Sequence, residues 1–227
     1  MSKKFFIFVS GMLVVVGILA FLYSSDDEEL KLIPRVRVVQ ESSVGGSTEV
    51  RTGASTKTDP GEAVKEALGK AMSGRPDKQP DLAIVFVTSG SDMKAILSHL
   101  RQALGKTKIY GGTSDSRGVM TNEGFFKAAA RPYVDPSADA QHALAVMTVS
   151  SKEVLFGVGS ARRKDHTSVQ DASKAAMLQA IASAGKQPQD TPRLVLVTLP
   201  RSFEEEAIEG IVEVVGPNTA LVGGTAG

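Results

Sequence analysis

Ser91-Asp92-Met93-Lys94 is the stretch of this chain whose residue types and spacing come nearest to covalent chemistry. A Ser followed three residues later by a Lys sets a hydroxyl and an amine one helical turn apart, the form used by some acyl-transfer enzymes. The companion motifs, Ser-Asp-Asn and Lys-Thr-Gly, do not occur, and a Ser at a helix start also suits a cap. Gly105-Lys106-Thr107 resembles the end of a phosphate loop. That pattern needs glycine at position 100, where Leu100 stands, and a preceding strand where the apolar spacing predicts a helix. Gly157-Val158-Gly159-Ser160-Ala161-Arg162 lacks the third glycine of a dinucleotide fingerprint. His99, His142 and His166 are scattered, with none of the spacings that hold a catalytic metal. The chain has no Cys, which excludes thiol catalysis, disulfides and Cys-bound zinc. We therefore expect no catalytic residue, no cofactor and no metal. The alternatives are an acyl-transfer hydrolase using Ser91 and Lys94, or a non-catalytic scaffold that docks another protein.

Binding chemistry is better represented. Ile109-Tyr110 runs into Gly111-Gly112-Thr113-Ser114-Asp115, and Leu221-Val222 runs into Gly223-Gly224-Thr225-Ala226-Gly227. The shift of 112 residues from Gly111 to Gly223 also aligns Pro80 with Pro192, Val85 with Val197, Ile96 with Ile208 and Thr107 with Thr219. No gap is needed over 80–115, so 80–115 and 192–227 read as an internal repeat. Part of the match follows from any strand–helix–strand unit repeating its own order. Ligands of open α/β sheets bind beyond the carboxyl ends of the strands, here the loops 88–92, 111–118, 199–203 and 223–227. Glycine there lets a ligand approach the backbone, and the helix starts after 91 and 202 offer free N–H groups to an anion. The candidate ligand-binding residues are Ser89, Ser91, Thr113, Ser114, Asp115, Arg117, Arg201, Ser202 and Thr225. Arg117 and Arg201 could clamp a carboxylate. Ser91 and Ser202 suit helix caps as well.

The elements that must position these residues alternate. Asp59-Pro60-Gly61-Glu62 opens a helix. Leu82–Val87 reads as a strand covered on both faces, followed by a helix from Met93 to Leu104 that stops at Gly105. Further strands are expected at 143–149, 154–158, 194–199 and 220–222, and helices at 170–184 and, behind a Ser202-x-x-Glu205 capping box, up to Val215. Residues 116–135 read as an excursion. Before residue 59, a strand at 35–39 and another from Thr48 to Gly53 suggest a hairpin. The expected fold is α/β: duplicated βαβ-type units forming one mostly parallel, mixed sheet with flanking helices.

Lys3-Lys4 precede an uncharged apolar run, Phe5–Tyr23, and Asp26-Asp27-Glu28-Glu29 follow it. Nineteen residues at about 1.5 Å each reach roughly 28 Å, close to the hydrocarbon thickness of a bilayer. The run is longer than a cleavable signal core and leaves through a poor cleavage site. It reads as a signal-anchor helix over 1–25, with the N-terminus cytoplasmic and the bulk of the chain on the outer side of the cell membrane. Residues 26–47 then form a linker with the possible first strand, and 48–227 the α/β domain. With 26 Lys and Arg against 25 Asp and Glu, the net charge of +1 provides no field for nucleic acid, and Arg162-Arg163-Lys164 is too short a cluster to supply one.

This pattern resembles the FIST family of bacterial sensory domains, in its N-terminal segment, over about residues 48–227. Asp81–Phe86, Gly111-Gly112-Thr113-Ser114, Gly118 with Gly124, and Ala220–Gly227 carry the resemblance. It implies binding of a small molecule, amino acids or similar carboxylates, in signal transduction, with a signalling protein as partner and no established catalytic residues. Family members usually continue into a C-terminal FIST segment, and many are cytoplasmic and fused to output domains.

Overall fold

The computed structural model describes residues 4–10, 48–74, 78–88, 91–114, 119–121, 124–126, 142–200 and 202–226, with the backbone alone for 4–10, 120–121, 124–126, 200 and 225–226. The expected linker, the strand at 35–39 and most of the excursion lie outside the described residues.

Among the described residues, ten strands and four α-helices follow in chain order. They are β1 Lys4–Ser10, β2 Thr48–Ser55, α1 Pro60–Ala71, β3 Leu82–Thr88, α2 Met93–Leu104, β4 Lys108–Ser114, β5 Val119–Thr121, β6 Gly124–Phe126 and β7 Leu144–Ser151. Then come β8 Val154–Ser160, α3 Val169–Ser183, β9 Leu194–Pro200, α4 Glu204–Val215 and β10 Ala220–Ala226. The helix caps explain most boundaries. Asp59 accepts from the Glu62 amide at 2.8 Å, Asp92 from Ala95 at 3.0 Å and Ser168 from Asp171 at 3.0 Å, each satisfying an N–H that the first helical turn leaves free. The expected capping box at Ser202 does not form. Ser202 sits at φ 70, Phe203 takes the cap position without a side-chain bond, and Glu204, Glu205 and Glu206 instead place negative charge at the positive end of α4.

The strands form two four-stranded sheets, where the sequence suggests one. In the first, in order β2-β7-β3-β4, β3 and β4 are parallel and β7 runs antiparallel to both its neighbours. In the second, in order β10-β9-β1-β8, every pairing is parallel. β5 and β6 form a separate hairpin. β2 pairs with β7, about ninety to a hundred residues away; the expected hairpin partner at 35–39 lies outside the described residues. Alternation along the strands separates the layers. On β3, Ala83, Val85 and Val87 pack under α1 and α2, while Leu82 and Ile84 face the other sheet. On β9, Val195, Val197 and Leu199 pack under α3 and α4, and Leu196 faces inward. The molecule is a helix–sheet–sheet–helix sandwich, its middle core made by Leu82, Ile84, Tyr110, Val149 and Phe156.

One polar bond crosses that middle layer. The Tyr110 hydroxyl lies 2.5 Å from Thr198 Oγ1, and both residues are buried. Burial pushes the Tyr110 phenol up to about 12, the Thr198 hydrogen bond offsetting part of the rise.

Of the expected anchor over 1–25, only Lys4–Ser10 is among the described residues. Lys4–Ser10 is a strand between β8 and β9 and not the opening turns of a helix. Aromatic and β-branched residues, here Phe5-Phe6-Ile7-Phe8-Val9, suit a covered central strand as well as a membrane span. Among the described residues no helix is long and apolar enough to cross a membrane.

Candidate functional site

The carboxyl ends of β3 and β4 lie side by side, because the parallel register sets Val87 against Thr113 and Thr88 against Ser114. Thr88 is fully buried and ties in the start of β7. Its amide donates to the Ala143 carbonyl at 2.9 Å, and its hydroxyl accepts from the Ala143 amide at 3.0 Å. That clasp carries His142 to the loop after β3, where Ser91 Oγ lies 2.9 Å from His142 Nδ1. Asp92 caps α2, which leaves the Ser91 hydroxyl for the imidazole; the cap reading of Ser91 is thus replaced. Thr113 is buried and Ser114 half-buried beside this cluster.

The glycine turns are required by close packing. A Cβ on Gly111, whose φ is 157, would collide with the Val85 carbonyl oxygen; a Cβ on Gly223, at φ 158, would collide with that of Val197. These two pairs stand at the same residue shift, and the registers agree as well, Leu82 against Lys108 and Leu194 against Ala220.

The loops beyond the turns differ in chemistry. At that shift Thr88, Ser91 and Ser114 correspond to Pro200, Phe203 and Ala226. Only the first unit presents a hydroxyl cluster. The second offers Phe203, which is 46% exposed, and Ser202, exposed and without a hydrogen bond to the first unit among the described residues. Thr225 stands opposite Leu199 in the ladder. Of the nine expected residues, Ser91 bonds His142, and Thr113 and Ser114 end the neighbouring strand β4, on alternate faces; Ser202 and Thr225 stay on the second unit; and Ser89, Asp115, Arg117 and Arg201 lie outside the described residues. His142 and Thr88 join the cluster without having been expected. The signal for His142 is visible only in part: a His immediately before an apolar strand sits at a strand end, but the partner 51 residues earlier is a matter of sheet pairing.

The Ser91–His142 pair offers a hydroxyl and an imidazole that can both hydrogen-bond a carboxylate or carbonyl. Among the described residues no group of acidic or His side chains is arranged to hold a metal. A separate crevice of about 480 Å³ opens between α2, the outer edge of β4, the end of β8 and α3, and contains none of the nine expected residues.

The family model for the FIST N domain matches residues 81–227, well over half of the chain. The match begins at Asp81, so β2 and α1 lie before it. Comparison with curated proteins returns no match.

Proposed function

The chain belongs to the FIST family, a family of sensory domains, and from that premise we propose that it binds small carboxylates, amino acids foremost, at the carboxyl ends of β3 and β4. The observation that carries this reading is the hydrogen bond between Ser91 and His142, held by Thr88 at the end of a buried strand. Two neutral or cationic donors beside Thr113, Ser114 and a glycine turn form a small polar site on a rigid edge. Ser89, Asp115 and Arg117, expected on the loops that follow these two strands, would complete it, with Arg117 as carboxylate clamp; Arg201 follows β9, in the other sheet. Ligation would order those loops and shift the chain toward its signalling form, read by a partner protein. We also propose a membrane anchor through 5–23, with the domain at the outer face, supported by the apolar run alone; it requires that Lys4–Ser10 leave its place between β8 and β9 when the run enters a bilayer. We also propose that 80–115 and 192–227 arose by duplication, supported by the shared registers and the two glycine collisions.

The test is calorimetry of the full chain against the common amino acids and short carboxylates, repeated on Ser91→Ala and His142→Ala. One or a few ligands should bind, and each substitution should weaken them about tenfold or more, the scale of one charge-assisted hydrogen bond. A silent panel, or variants that bind as the parent does, would sink the proposal.

The same pair favours one second reading. Acyl transfer, if it occurs, would run with His142 and not Lys94 as the base for Ser91, since the imidazole is the group within hydrogen-bond reach. Labelling of Ser91 by a fluorophosphonate, lost in His142→Ala, would support it; an unlabelled chain would remove it.

A further inference from the structure

The crevice between β4 with α2 and β8 with α3 carries chemistry that the loop site does not. Its α2 wall continues the apolar stripe of that helix out of the core: Ile96 and Leu100 are buried, while Met93 and Leu97, 41% and 43% exposed, line the open part. Large apolar side chains at this exposure on successive turns of one helix form a surface that an apolar ligand body would cover favourably. On the opposite wall α3 lies close on β8. Gly157 and Gly159 permit this, since a Cβ at either would strike the α3 carbonyls of Ala180 or Ala176. Ser183 and Gln179 of α3 accept from the Val158 and Ser160 amides at 3.2 and 2.7 Å, which satisfies those donors and leaves that wall without demand for a partner.

The polar demand comes from cations. Arg101, Lys106 and Lys108 line the crevice, and among the described residues no Asp or Glu does. None of the three is in an ion pair among the described residues. What sets the three apart is their convergence on one crevice beside exposed apolar side chains. A volume of about 480 Å³ falls in the range of small-molecule sites.

We infer that this crevice binds an amphipathic organic monoanion, an aryl or medium-chain alkyl carboxylate, with its apolar body on Met93 and Leu97 and its head among Arg101, Lys106 and Lys108. A free amino acid suits it poorly, because its ammonium would meet three cations and no acid. The site is therefore distinct in ligand class from the Ser91–His142 cluster, and it goes beyond the loop reading. Its walls come from both sheets and the helices over them: β4 with α2 on one side, β8 with α3 on the other. Occupancy consequently couples their spacing.

The experiment is titration of the full chain with 1-naphthoate, followed by naphthalene fluorescence anisotropy in a protein that has no Trp, beside 1-naphthylmethylammonium as the cation of like shape. Naphthoate should bind at least tenfold more tightly than the ammonium. Lys106→Glu/Lys108→Glu should weaken naphthoate tenfold or more, and Leu97→Gln should weaken it several-fold, with the melting temperature of each free variant near that of the parent. Ser91→Ala should leave naphthoate binding unchanged, which separates failure here from failure of the loop site. Equal binding of anion and cation, full affinity in the charge-reversed variant, or loss of binding in Ser91→Ala would each overturn the inference. If Lys106→Glu/Lys108→Glu does not fold, salt dependence replaces it: naphthoate affinity in the parent should fall between low and high salt, and a flat response overturns the inference.

Discussion

Tyr110 shows how one side chain can bind two layers. Its ring belongs to the core between the sheets and its hydroxyl meets Thr198, so the apolar and polar contributions fall on the same residue. Tyr110→Phe keeps the ring and strands a buried Thr198 hydroxyl; we expect a loss of about 1–3 kcal/mol in urea unfolding. The phenol also sets a pH window. Its folded value, about 12, lies above the ordinary 10, so the neutral form is the one the fold favours. That stabilisation is complete below about pH 10 and is lost as pH rises toward 12. Tyrosinate absorbance should accordingly show one of the three tyrosines titrating late until unfolding releases it, whereas in Tyr110→Phe the late phase should vanish. At this scale the sequence was partly legible. Ser91, Thr113 and Ser114 could be picked out because they sit beside glycine turns and strand ends. His142 could not, because its place depends on β7 returning antiparallel beside β3, which no local spacing records.

Elements were the most readable level. α2 spans Met93–Leu104 and stops at Gly105, φ 53, as the apolar spacing and the glycine require. What spacing does not resolve is which of two adjacent polar residues caps. Ser91 and Asp92 are both good cap residues; the imidazole of His142 takes one and leaves the other to the helix. Asp92→Ala should thus lower stability by about 1 kcal/mol in thermal or urea denaturation while leaving the Ser91–His142 contact in place. Ser91→Ala should change stability less, and ligand binding more. The reverse ranking would mean that Ser91 is the working cap. At α4 the Ser-x-x-Glu pattern was misleading for a backbone reason: at φ 70, Ser202 has left the extended conformation a capping residue needs.

For the whole molecule, the continuous apolar strands concealed a second sheet. A strand between helices on both faces and a strand between a helix layer and another sheet have the same sequence pattern, since each is covered twice. Only the pairing list separates them: β3 meets β7 and β4, β9 meets β1 and β10. The N-terminal run raises the same ambiguity in sharper form. Residues 4–10 cannot be both a sheet strand and the first turns of a span, and 11–23 alone, as helix, would reach only about 20 Å. We expect the full chain to stay with membranes through alkaline carbonate extraction. Recovery in the supernatant would remove the anchor and leave Lys4–Ser10 to its place in the sheet.

β10 has a further consequence, for handling the protein in solution. It is an edge strand of its sheet, paired with β9 on one side, and from Ala220 to Ala226 it carries no charge and no proline. Val222 is 36% exposed. Edges of this kind are templates for pairing with another chain unless a kink, a charge or a cover blunts them. Here the glycine pair at 223 and 224 is the device on the strand itself. The solubility limit of the domain will be set at that edge, and a lysine at position 222 is the change that should raise it.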